Sequence, residues 1–86
     1  MHSLVETVNM MLSPDYRERF RAEYWQTSLR YEKLHFELIK YEAGLDSKIT
    51  EDTAVQRNKQ ASIMEEYLEV LKQIAEVEGI NLHVNG

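Results

Sequence analysis

The feature that most constrains this chain is a run of thirty residues without a helix breaker, from Pro14 to Ala43. Its flanks read as helix ends. Ser13 suits the N-cap, where a hydroxyl can accept a bond from an orphan backbone N–H. Pro14 suits the first helical position, where the missing N–H costs nothing. Asp15 and Glu18 put negative charge near the positive end of the helix dipole. Gly44 can take the left-handed conformation that closes a helix. A helix over 14–43 would be roughly 45 Å long at about 1.5 Å per residue, so it needs a partner along its length.

The faces of that helix say what kind of partner. Tyr16, Phe20, Tyr24, Thr27, Tyr31, Leu34, Leu38 and Tyr41 recur in steps of three and four, the spacing of a packed seam. Trp25, Leu29 and Phe36, with Ile39 at their edge, lie on nearly the opposite side. One neighbour cannot bury both, so core plus subunit interface is one reading. The other is that part of the aromatic surface stacks on a ligand.

The remaining elements follow. Residues 3–12 read as a short helix with capping-box spacing between Ser3 and Glu6, too short to stand alone. Residues 44–50 form a link in which Leu45 and Ile49 look buried. Thr50 or Ser47 is the expected cap of a second helix over 51–78. Its expected seam is Met64, Tyr67, Leu71 and Ile74, widened by Ile63, Val70 and Val77 on one flank and Leu68 and Ala75 on the other. Its first half is polar and reads as frayed or held by a partner or ligand. Gly79 is the stop. Residues 80–86 alternate apolar and polar and read as an extended tail against the helices. The expected fold is therefore a single all-α domain over 1–86. It is a long antiparallel helical hairpin with a short N-terminal helix, assembling into an oligomeric bundle.

Composition narrows the function classes. The chain has no cysteine, so thiolate chemistry and cysteine metal sites are excluded. A net charge of −5 argues against duplex DNA as a partner. No apolar run approaches a membrane span, and the N-terminal residues lack the pattern of a signal peptide. His2, His35 and His83 are too dispersed for a ligand pair. The glutamates of the second helix read as a solvated face, and no serine sits in a nucleophile-elbow context. The reading is a non-enzyme with no metal and no cofactor.

One charge pattern runs against the acidic total. Arg17, Arg19, Arg21 and Arg30 are four of the five arginines, interleaved with Tyr16, Phe20, Tyr24 and Trp25. Arg57 and Lys59 open the polar half of the second helix. Guanidinium forks pair with phosphate, and aromatic faces stack on bases. Together they suit a small phosphorylated ligand. The competing reading pairs the arginines with neighbouring glutamates and puts the tyrosines in the core. The candidate ligand-binding set is Tyr16, Arg17, Arg21, Tyr24, Trp25, Arg30, Arg57 and Lys59.

The run SPDYRERFRAEYWQTSLRYEKLHFELIKYEAG and the later IMEEYLEVLKQIAEVEGINL resemble a family of small phage and prophage proteins of gut bacteria, some related to a crAss-like phage protein. The resemblance covers residues 13–48 and 60–82, with YRERF, AEY and AEVEGI the most specific segments. The layout of long helix, link and second helix, with Gln60 and Met64 four apart, is similar to the helical-hairpin domain of phage nucleotide sponges that counter CBASS and Thoeris defences. The resemblance implies a phage-encoded anti-defence protein in the cytoplasm of the infected bacterial host. It would form a homo-oligomer and sequester a cyclic nucleotide or a cyclic ADP-ribose-type signal without cleaving it. The alternative is a protein-binding or structural module that inhibits a host defence protein through the Trp25/Leu29/Phe36 patch.

Overall fold

The computed structural model describes residues 15–83. The expected N-terminal helix over 3–12, Ser13 and Pro14, and the last three residues of the tail lie outside that range. Two helices pack antiparallel as a hairpin: α1 over Tyr16–Glu42 and α2 over Ala54–Glu78.

α1 starts at Tyr16, with Asp15 as its N-cap where Ser13 was expected. The Asp15 side chain accepts a bond from the Arg17 backbone N–H at 2.9 Å, and a carboxylate there also meets the positive end of the dipole. Both helices close on a glycine with positive φ, Gly44 at 73° and Gly79 at 70°. The pattern of bonds is the same at each end. Gly44 N–H donates to the Tyr41 carbonyl and Leu45 N–H to that of Lys40; Gly79 N–H donates to Glu76 and Ile80 N–H to Ala75. Each pair satisfies carbonyls that the helix end would leave without partners.

The seam of α1 is largely the expected stripe. Phe20, Tyr24, Thr27 and Leu38 are buried, and Tyr31, Leu34 and Tyr41 pack at the edges of the core. Tyr16 is the departure and is half exposed. The seam of α2 is rotated from expectation. Ala61, Leu68, Leu71 and Ala75 are buried, while Tyr67, Ile63, Val70 and Val77 face outward. Two alanines in this seam allow the helix backbones to come close against the aromatic face of α1.

Two apolar clusters result. At one end of the hairpin Phe20, Tyr24, Leu68, Leu71 and Ala75 pack with Ile80 and Leu82 of the tail. The described part of the tail lies against the helices as expected, with a turn at residues 82–83. At the other end Leu38 packs with Ile49 and Ala61. Ile49 is buried as expected; Leu45 is not, being 63% exposed. The link is held by Glu37, whose Oε2 accepts the Lys48 backbone N–H at 2.9 Å. The Ser47 hydroxyl lies 2.9 Å from the Glu37 carbonyl and 3.1 Å from its Oε2. Neither Ser47 nor Thr50 caps α2. Residues 51–53 form a turn, the N-cap is Thr53 without a side-chain cap bond, and Thr50 and Thr53 join hydroxyls at 3.0 Å.

Candidate functional site

Three tyrosines tie the helices together across the seam, each donating to a glutamate of the other helix. Tyr16 Oη donates to Glu78 Oε1 at 2.9 Å, Tyr67 Oη to Glu23 Oε1 at 3.0 Å, and Tyr31 Oη to Glu65 Oε2 at 3.4 Å. All three phenols are pushed above their usual range. For Tyr16 the bond to Glu78 is the main cause; for Tyr31 and Tyr67 partial burial leads, helped by the facing carboxylates. An ionised carboxylate accepts a phenol proton well and repels a phenolate, so the neutral phenol is favoured.

Within this frame the eight candidate residues fall into separate places. Arg17, Arg21 and Trp25 follow at intervals of four on α1, so they share one side of the helix. The tail crosses that side. Arg21 Nε donates to the Asn81 carbonyl at 2.8 Å, and Trp25 Nε1 donates to the Leu82 carbonyl at 2.7 Å. The indole is flanked edgewise by Tyr24 at 5.0 Å and by His83 at 5.6 Å between ring centroids. Tyr24 itself is buried in the core and presents no open face to a ligand. Asn81, Leu82 and His83 therefore join the candidate site, which no side-chain pattern signals because two of the contacts are backbone carbonyls.

Arg30 stands on the other flank of the hairpin. Its Nη2 donates to Thr27 Oγ1 at 3.4 Å, Thr27 donates to Glu23 at 3.3 Å, and Glu23 is also the acceptor of Tyr67. Arg57 and Lys59 are exposed near the start of α2, where Arg57 Nη1 donates to Gln60 Oε1 at 2.8 Å. In an antiparallel hairpin the start of α2 lies by the end of α1. At about 1.5 Å per residue, Lys59 is therefore roughly 30 Å from the Tyr16–Glu78 end. One chain does not gather all eight residues around one small ligand. The compact grouping is Arg17, Arg21 and Trp25 with the tail.

The second apolar patch is also divided. Trp25 and Leu29 are half-buried, whereas Phe36 and Ile39 are exposed, with Lys40 Nζ 5.4 Å from the Phe36 ring centroid. Among the described residues no group of three or more His, Asp or Glu side chains is placed to hold a metal ion. No helix there is long and apolar enough to cross a membrane.

The family model for Sequestin matches residues 14–73. The chain belongs to the Sequestin family. Membership points to a sequestering protein, one that binds rather than transforms. The Sequestin match takes in all of α1, the link, most of α2 and all eight candidate residues; it ends before Gly79 and the tail. No curated protein and no solved structure matches the chain.

Proposed function

We propose that this Sequestin family member is a phage-encoded anti-defence protein. It binds a cyclic nucleotide or cyclic ADP-ribose-type immune signal in the host cytoplasm and withholds it uncleaved from its effector. Family membership carries the reading. The Arg17/Arg21/Trp25 side of α1 supplies chemistry that suits such a ligand. Two guanidinium groups one turn apart neutralise phosphate oxygens, and the neighbouring indole offers a surface for a base. Only the Nε of Arg21 is committed to the tail; its terminal nitrogens, and the guanidinium of Arg17, have no partner among the described residues. The acidic total of the chain keeps long polyanions away, while a short ligand meets only this local positive charge.

The test is a thermal-shift screen of the purified protein against cyclic di- and trinucleotides and cyclic ADP-ribose isomers, with the ligand recovered after denaturation. A ligand at 100 times its dissociation constant adds about 2.7 kcal/mol to stability. Recovery of the ligand intact, with the shift lost in Arg17→Ala and Arg21→Ala, is the expected result. Cleaved ligand would make the protein an enzyme, and no shift with any of these compounds would remove them as its cargo.

A further inference from the structure

The chain after Gly79 is held in two different ways. Ile80 is part of the helix closure. Its N–H donates to the Ala75 carbonyl at 2.8 Å, and its side chain is buried. The holds on residues 81–83 come from side chains of α1. Arg21 Nε donates to the Asn81 carbonyl and Trp25 Nε1 to the Leu82 carbonyl. The Leu82 side chain enters the cluster of Phe20 and Tyr24, and His83 stands at the edge of the indole. The turn itself closes internally, through the His83 N–H on Asn81 Oδ1 at 2.9 Å. Residues 81–83 can therefore leave α1 as one body, pivoting after Ile80, without breaking a hydrogen bond inside either helix.

What this segment occupies gives it a role. Both polar holds use Arg21 and Trp25, and the tail engages them with acceptors. The carbonyl oxygens of Asn81 and Leu82 stand where oxygens of a phosphate or a base would take the same N–H groups. An indole has one donor, so its two acceptors cannot be served together. A guanidinium also binds a phosphate more strongly than it binds a neutral carbonyl, so an anion is the better occupant of Arg21. Residues 80–83 bring no lysine or arginine that would hold an anion in their own right. The Sequestin match contains Arg17, Arg21 and Trp25 and stops before the tail, so this cover lies outside the matched pattern.

We infer that residues 81–83 are a displaceable strap over the Arg17/Arg21/Trp25 side of α1, an inference that takes the class of displacing molecule from the ligand reading above. Seated, the strap keeps the Arg21 and Trp25 donors on backbone carbonyls. A phosphorylated ligand gains that side by exchanging its own oxygens for those carbonyls and lifting Leu82 from the core. The apparent affinity is then the intrinsic one discounted by the fraction of chains whose strap is lifted. The packing of Leu82 thereby sets the ligand concentration at which the protein begins to fill.

Inorganic pyrophosphate is a suitable probe, since it offers two phosphate groups to two guanidiniums. Calorimetric titration of the full chain with Leu82→Ser, which loosens the strap and adds no charge, should show pyrophosphate bound about ten times more tightly than by the natural chain. Arg21→Gln in the same background should remove that binding. Equal or weaker binding by Leu82→Ser overturns the strap, as does a failure of both proteins to bind. A second measurement needs no variant. The Leu82 methyl signals, shifted by the rings of Phe20 and Tyr24, should move to the positions of an unpacked leucine as pyrophosphate saturates the natural chain. Methyl signals that stay in place at saturation would mean that the anion binds beside a seated tail, and would also overturn it. The two readings fail separately. Pyrophosphate gated by Leu82, with no cyclic nucleotide bound by either protein, keeps the strap and removes the sequestration of cyclic nucleotides. A cyclic nucleotide bound equally by both proteins keeps sequestration and removes the strap.

Discussion

The two ends of the hairpin begin from the same local geometry and finish differently. Gly44 and Gly79 have the same backbone conformation and the same pair of closing hydrogen bonds. Yet the residue after the first, Leu45, is 63% exposed, and the residue after the second, Ile80, is 7% exposed. After Gly79 the chain falls onto the aromatic face of α1 and adds Ile80 and Leu82 to a broad cluster. After Gly44 it turns along the polar Glu37, and only Ile49 reaches the small cluster with Leu38 and Ala61. One end is held mainly by apolar burial and the other mainly by hydrogen bonds to one carboxylate. A helix stop thus fixes the direction in which the chain leaves, and the surface it meets decides whether the next residue becomes core.

Substitution of one buried leucine at each end tests this contrast most strongly. Leu71 and Leu38 are equally buried. Leu71→Ala opens a cavity in the larger cluster and should cost about 3 kcal/mol; Leu38→Ala, in the smaller one, should cost about 2 kcal/mol. Equal or reversed losses in urea unfolding would break the comparison.

The glycines give the next largest effect. An added Cβ would meet no heavy atom within 4 Å at either position, so only backbone strain enters locally, about 1 kcal/mol. Gly44→Ala should show that alone. Gly79→Ala should cost about 2 kcal/mol, because relaxing the strain also lifts Ile80 and Leu82 from the core. Identical melting shifts for the two variants would mean that the tail adds nothing.

The smallest effects are in pH. Glu37 is held below its ordinary range chiefly by the Lys48 backbone N–H, with Ser47 and Lys40 helping against partial desolvation. A carboxylate of lowered pKa stabilises the fold above its unfolded value, and that contribution disappears as pH falls through the folded one. The phenols of Tyr16, Tyr31 and Tyr67 are raised. Their contribution is complete below a tyrosine's usual value of about 10 and is lost as pH rises through the folded one. Glu37→Gln should therefore flatten the acid side of a stability–pH curve and Tyr67→Phe the alkaline side. A curve that each variant alters on the opposite side would refute these assignments.

Much of α1 was legible in the sequence because large residues at steps of three and four, Phe20, Tyr24, Leu34 and Leu38, leave one plausible buried face. α2 was harder. Its apolar residues cover a wide arc, and the Ile63/Tyr67/Val70/Ile74/Val77 set has as regular a spacing as the true seam. The true seam uses Ala61 and Ala75, which carry little hydrophobic signal yet permit close approach. In the candidate site, Arg17 and Arg21 could be grouped from their spacing alone. Arg30 could not be placed, since nine residues beyond Arg21 the helix has turned to its other flank. Arg57 and Lys59 depend on which helix ends meet, so only the hairpin shows their distance from the rest. The tail contacts were invisible because the acceptors are backbone oxygens, which every residue has.

The bond from Trp25 to the Leu82 carbonyl also gives the protein an optical handle. Trp25 is the chain's single tryptophan, and with the tail in place its indole N–H is bonded 2.7 Å from a carbonyl and an imidazole stands at its edge. When the tail lifts, the same indole faces water, and its emission moves to longer wavelength. Intrinsic fluorescence therefore reports whether the tail is seated, without any added label.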